Sequence, residues 1–191
     1  MGLFDTLLGR SKPVHPDLDQ LFAVPGAALT LQAASAFRPT GIGSVCYRAP
    51  EGAAFATAQS DVQQLLDADE GPDVERTTDS FGFTWLICRA ADGDMSALVT
   101  DLHAVNKTLE DNGFGHALLC SMVTFTDDSG RRLGLVYLYK RGTFYPFAPL
   151  EGQRRDNALE LQIRGMLASD LKVEPDLSRW LALWGAPGLD G

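Results

Sequence analysis

The chain has 191 residues, of which 45% are apolar, and both values are typical of one globular domain. Its formal net charge of −9 argues against nucleic acid as the main partner, because a protein that binds phosphate backbones needs a basic surface. No apolar run approaches the roughly 20 residues of a membrane-spanning helix, and the first residues lack the features of a secretory signal. The composition therefore predicts a cytoplasmic protein.

Residues 1–13 are predicted to be a flexible or amphipathic segment that precedes the domain. Leu3, Phe4, Leu7 and Leu8 fall on one face when this segment is drawn as a helix. Such a face can lie in a membrane interface or dock on a partner, so peripheral membrane attachment is one functional interpretation. The structural alternative is a frayed or self-docked terminus.

The next part of the chain predicts short elements separated by turns. A short helix at 17–23 is expected to end at Pro25 and Gly26. Residues 27–37 fit a helix or a strand, because leucines alternate while alanines tolerate a helix, and we leave both open. Residues 38–41 form a turn cluster, and a strand is expected at 44–48.

The middle of the chain alternates helices and strands. A capping box at Ser60 to Gln63 predicts a helix that continues to residue 67, with an earlier start near Ala53 left open. Apolar residues at helical spacing make 94–112 the clearest helix of the chain. The remaining expectations are an acidic connector at 67–73 and strands at 74–78, 81–89 and 116–124.

The stretch from 123 to 167 predicts two hairpins followed by a covering helix. Strands at 123–125, 132–140 and 143–147 are separated by tight turns, and an amphipathic helix is expected at 157–167. A last short helix at 176–184 carries Trp180 and Trp184, which we expect to cap the core, and residues 186–191 are assigned to a tail. Sequential strands joined by tight turns favour a single α+β domain at 14–185, an antiparallel sheet with helices packed against it.

The three cysteines indicate neither a disulfide framework nor a metal site. Cys46, Cys88 and Cys120 are far apart, odd in number and embedded in apolar stretches, with no Cys-x-x-Cys or Cys/His spacing. We expect them to be buried and reduced. No nucleophile elbow, phosphate-binding loop or dinucleotide fingerprint is present either, so we predict no enzymatic activity, no cofactor and no metal.

A local group of cations and aromatic residues stands out in this acidic chain. In a functional interpretation, the cations hold an acidic helix of a partner and the aromatic rings anchor it. In a structural interpretation, the rings belong to the core and the cations lie on a turn and a helix start. A third interpretation uses Arg154 and Arg155 to bind a phosphate or carboxylate ligand. The group consists of Lys140, Arg141, Tyr145, Phe147, Arg154 and Arg155.

Several phrases of the sequence resemble the PspAB family of bacterial proteins. They are MGLFDTLLGR, FRPTGIGSVCYRA, FTWLICR, LVTDLHAVN and, most specifically, VYLYKRGTFYPFAP followed by QRRDNALELQ. The resemblance spans essentially the whole chain and implies an associate of PspA, a coiled-coil, membrane-remodelling protein of the phage-shock response to membrane stress. It implies no activity and no catalytic residue. The order of elements is also similar to the YbjN and type III secretion chaperone fold, which would favour protein binding.

These observations favour a non-enzymatic adaptor that binds PspA or an associated membrane-stress component. The alternatives are a small-ligand protein or enzyme that uses Arg154 and Arg155, and a peripheral membrane protein attached through its N-terminal segment.

Overall fold

A computed structural model describes residues 16–66, 74–90 and 93–189 of the chain. Six antiparallel strands form the central sheet in the order β2-β3-β1-β4-β5-β6. They are β1 (Arg38–Tyr47), β2 (Glu75–Thr78), β3 (Thr84–Arg89), β4 (Leu118–Thr126), β5 (Arg132–Leu138) and β6 (Thr143–Phe147). A two-stranded ribbon follows, formed by β7 (Pro149–Leu150) and β8 (Arg154–Arg155). The helices are α1 (Val24–Ala34), α2 (Ala53–Leu66), α3 (Met95–Leu109) and α4 (Asn157–Met166).

This architecture confirms the predicted α+β class. The narrower likeness to secretion chaperones stays a prediction. The N-terminal segment with Leu3, Phe4, Leu7 and Leu8, and the acidic connector at 67–73, lie outside the described residues. Within the described ranges, no helix combines the length and the apolar composition needed to cross a bilayer.

Helix α3 lies on β1 and forms the centre of the larger core. Leu98, Leu102 and Val105 are fully buried, as their helical spacing predicts. The Asp94 side chain accepts hydrogen bonds from two backbone N–H groups of the first turn and caps the helix. A Cβ atom on Gly43 would lie only 3.0–3.2 Å from the side chains of Leu98 and Leu102, so glycine permits the close approach of helix and strand.

Two predictions for the first part of the domain are wrong. A 3-10 helix at Leu18–Ala23 continues directly into α1, so Pro25 and Gly26 do not end a helix. Proline is tolerated in the first helical turn, where its missing N–H would lack a partner in any case. Residues 38–41 are the irregular start of β1, where the register shifts between Pro39 and Gly43, and the open segment 27–37 is mainly helical.

The predicted helix at 176–184 is also wrong, because only Leu177–Arg179 forms a single 3-10 turn. Tertiary hydrogen bonds compete with helical ones in this segment. The Trp180 indole donates to the Glu174 carbonyl at 3.0 Å, and the Tyr145 hydroxyl donates to the Leu181 carbonyl at 2.9 Å. The chain after Trp180 therefore runs along the sheet and does not continue as a helix.

The second face of the sheet, opposite the helices, packs against the C-terminal part of the chain. Trp180 is buried there and Trp184 is half-buried; Ala186 and Leu189, within the segment assigned to a tail, are also buried. Cys46 and Cys120 lie on this face, whereas Cys88 faces the helices. The three cysteines are buried and free, as predicted.

The turn between β4 and β5 is organised by one buried carboxylate. Asp127 accepts hydrogen bonds from the Ser129 hydroxyl at 2.8 Å and from the Arg131 side chain at 2.7 Å. Burial acts to raise the pKa of Asp127, but these bonds and the Arg131 charge outweigh it and hold the pKa at about 2. The neighbouring Asp128 is exposed and pairs with Arg38 at the surface.

We expect Asp127→Asn to lower the free energy of unfolding by about 1.5 kcal/mol near neutral pH, because charged hydrogen bonds are lost. The folded-state pKa is depressed, so the carboxylate stabilises the fold above roughly pH 4, and this contribution disappears as the pH falls toward 2. Asp128→Asn should cost less than about 0.5 kcal/mol. Urea unfolding at several pH values measures both variants, and equal losses would contradict the assignment.

Candidate functional site

The predicted cations do not form one free basic surface. Arg141 donates to Glu174 at 3.4 Å, and Arg155 donates to Glu160 at 2.9 Å. Both glutamates are buried, so each guanidinium balances a carboxylate inside the protein. Lys140 and Arg154, in contrast, are exposed.

Glu174 joins β6 to the C-terminal segment. It accepts hydrogen bonds from the Thr143 hydroxyl at 2.7 Å and the Asp176 backbone N–H at 3.2 Å, and it pairs with Arg141 and Arg179. Burial acts to raise the pKa of Glu174, but these hydrogen bonds and charges outweigh it, so the pKa lies below its usual range. The carboxylate therefore stays charged and holds the segment in place.

The predicted aromatic anchors belong to the core. Tyr145 and Phe147 are at most 1% exposed. The Tyr145 ring stacks on Trp180 with centroids 5.9 Å apart, and Phe147 contacts Trp184 edge to face at 5.1 Å. Both rings thus support the C-terminal segment, and Tyr145 also lines a cavity on this face. Their role as partner anchors stays a prediction.

Arg155 also contacts this segment. Its Nη1 donates to the Trp180 carbonyl, its Cζ lies 5.0 Å from the centre of the Phe147 ring, and its buried Nη2 has no hydrogen-bond partner among the described residues. The Nη2 group of Arg155 can thus donate to a small acceptor, but Glu160 already neutralises the charge of this guanidinium. A phosphate at Arg154 and Arg155 would have to compete with this carboxylate.

The described residues enclose a cavity of about 470 Å³ on the second face of the sheet, which we call the apolar groove. Its floor is a row of cross-strand neighbours on β3, β1, β4 and β5: Trp85, Cys46, Cys120 and Leu138. Residues 181–184 of the C-terminal segment form the opposite wall. A volume in this range is typical of ligand sites, and its lining is mainly apolar.

The rim of the apolar groove exposes large apolar side chains. Phe81 is 61% exposed and Leu181 is 60% exposed. Asp79 positions the loop that carries Phe81, because its carboxylate accepts hydrogen bonds from the Phe81 and Phe83 backbone and from the Trp85 indole at 2.9–3.0 Å. Burial acts to raise the pKa of Asp79, but these donors outweigh it and the pKa is lowered. The arrangement holds an apolar ring at the surface.

The Cys46 thiol on the floor is a poor nucleophile. Cys46 and Cys120 face each other across β1 and β4, and their mutual hydrogen bond, together with burial, raises the pKa of the Cys46 thiol. A protonated thiol reacts slowly. In the described ranges, no group of three or more His, Cys, Asp or Glu side chains is placed to hold a metal ion. What this site can do best is bind apolar side chains or ligands.

Sequence reasoning missed the apolar groove, although β3 carries a signal for it. In TWLICR both alternating sets of side chains are apolar, which indicates a strand that is covered on both faces. The C-terminal WLALW covers part of the second face of the sheet. Its spacing in the sequence does not show that a groove remains between this segment and the strands.

The fold and the groove define an α+β protein whose antiparallel sheet carries helices on one face and an apolar groove on the other. The chain belongs to the family described as PspA associated protein B, PspAB, whose model matches residues 1–188. This match confirms the resemblance of its motifs, and the family name associates its members with PspA. Neither the curated proteins nor the solved structures contain a significant match to the chain.

The neighbouring arginines give a direct test of the buried pair. We expect Arg155→Ala to lower the free energy of unfolding by about 3 kcal/mol, because it leaves Glu160 buried without its cation. Arg154→Ala should change it by less than about 0.5 kcal/mol, since Arg154 is exposed. Chemical denaturation measures both, and similar small effects would show that Arg155 is not needed for the fold.

Proposed function

We propose that the chain is a non-enzymatic binding protein that associates with PspA, and that the apolar groove is its main contact surface. The membership of residues 1–188 in the PspA associated protein B family is the observation that carries the proposal. From this membership we also infer a cytoplasmic location and a role in the membrane-stress response.

The chemistry of the groove favours a helical partner segment with an apolar stripe. Phe81 and Leu181, exposed at the rim, lie beside a cavity that can receive further side chains, which is the arrangement used when an amphipathic helix docks in a groove. Burying one large apolar side chain contributes about 1.5–3 kcal/mol. A coiled-coil protein such as PspA offers apolar stripes of this kind.

The carboxylate and the thiol that line the groove support binding over catalysis. The Asp79 carboxylate is hydrogen-bonded to the loop that it positions, and the Cys46 thiol is paired with Cys120. Neither is poised as an acid, base or nucleophile. Lys140 and Arg154, whose side chains are exposed, remain available for acidic side chains of the partner.

We expect Phe81→Glu combined with Leu181→Glu to weaken binding to purified PspA at least about tenfold, because two exposed apolar contacts become charged. The control is Leu29→Glu, which changes a leucine on α1 that is 68% exposed and lies away from the groove. Affinity is measured by biolayer interferometry, with melting temperatures recorded for every variant. Unchanged affinity in the double variant would remove the groove as the contact surface.

The cationic contribution has a separate test. Lys140→Glu combined with Arg154→Glu should weaken binding severalfold and more strongly at low salt, since both residues are exposed. Arg141→Glu is unsuitable for this purpose because it places a second carboxylate beside buried Glu174. An affinity that does not depend on these changes or on salt would exclude the exposed cations.

A further inference from the structure

The sequence and the described residues each contribute one apolar feature. One is the set of side chains Leu3, Phe4, Leu7 and Leu8, which share one face of a helical projection and lie outside the described residues. The other is the apolar groove with its exposed rim. We propose that the N-terminal segment of the same chain docks in the apolar groove when PspA is not bound.

The point at which the described chain begins supports this occupant. Asp17 lies at the turn between β5 and β6: the Tyr137 hydroxyl donates to its carbonyl at 2.8 Å, and a Cβ atom on Gly142 would be 3.3 Å from its Cβ. This turn begins at Leu138, whose carbonyl accepts a hydrogen bond from Gly142 and whose side chain lines the groove. The N-terminal segment therefore joins the domain at the end of the sheet where the groove lies.

The linker is long enough for the segment to reach the groove. Its path passes around the end of the sheet, a layer spacing of about 10 Å, and crosses up to three strand spacings, about 14 Å. Eight residue steps separate Leu8 from Pro16, and they span roughly 26 Å when extended. All positions across the floor, from Leu138 to Trp85, are within reach.

Tethering favours the chain's own segment over other apolar occupants. A segment on a short linker is present at an effective concentration of about millimolar at its site, far above that of a second copy or a free partner in dilute solution. PspA then has to displace the segment, so its apparent affinity rises when the segment is removed from the groove. The competition between the N-terminal segment and PspA rests on the proposed function, but the docking of the segment in the apolar groove does not.

Photo-crosslinking of the full chain tests the docking without PspA. p-Benzoylphenylalanine replaces Phe4, and mass spectrometry maps the products in the monomer band after irradiation. We expect links to groove residues such as Phe81 and Leu181, and no links to the groove from the same probe at Leu29 on the helix face. Links only to the helix face or to a second copy would overturn the proposal. Links formed only to phospholipid, in vesicles of phosphatidylethanolamine and phosphatidylglycerol, would assign the segment to the membrane and also overturn it.

Competition with an apolar dye gives an independent readout. N-phenyl-1-naphthylamine should bind the Phe4→Glu/Leu7→Glu variant about tenfold more tightly than the original chain, because the segment no longer competes for the groove. Thr6→Glu/Gly9→Glu adds the same charge outside the apolar face and should leave dye affinity unchanged. Equal dye affinity in all three proteins would contradict docking. If the crosslinking and dye results are as expected but the chain does not bind PspA, the docking proposal stands and the proposed function fails.

Discussion

The structure depends on covering both faces of a sheet whose central strands are apolar on both sides. Helices cover one face in the usual way, with α3 lying close to β1 over Gly43. The other face is covered by a C-terminal segment with little regular structure of its own. Such a segment has few internal hydrogen bonds, so its position has to come from contacts with the sheet.

Those contacts explain why Arg141 and Arg155, two of the four cations noted in the sequence, are paired inside the protein. A buried carboxylate is costly unless it is paired, and Glu160 and Glu174 lie where the C-terminal segment meets the ribbon and β6. Arg141 and Arg179 pair with Glu174, and Arg155 pairs with Glu160. The rings of Tyr145 and Phe147 are buried because they fill the layer between the sheet and the C-terminal segment.

Much of the fold was predictable because local patterns and tertiary packing agree. The apolar period of α3 and the tight turns between β4, β5 and β6 specify those elements with little help from the rest of the chain. Predictions were wrong where a residue or segment is compatible with two different structures. Pro25 can end a helix or sit in its first turn, and the segment around Trp180 has helical spacing but gives its polar groups to the sheet.

The site was harder to predict than the fold. The groove depends on how far the wall at 181–184 stands from the floor, and this distance is set by side chains from distant parts of the chain. The pairing of Arg155 with Glu160 spans a β-ribbon and a helix start, and no spacing rule distinguishes a paired arginine from a free one. Only the two-faced apolar pattern of β3 pointed toward a second covered surface.

The edges of the sheet restrict how a partner can attach. The outer side of β6 is already engaged, since Phe144 donates to the Lys172 carbonyl at 2.9 Å and its own carbonyl accepts from Glu174 at 2.7 Å. Pro146 removes a further donor from that strand, and the opposite edge is the short, charged β2. Neither border readily accepts an additional strand from another polypeptide. Recognition by this protein is therefore expected to rely on complementary side chains, and aggregation through strand addition is disfavoured at the same time.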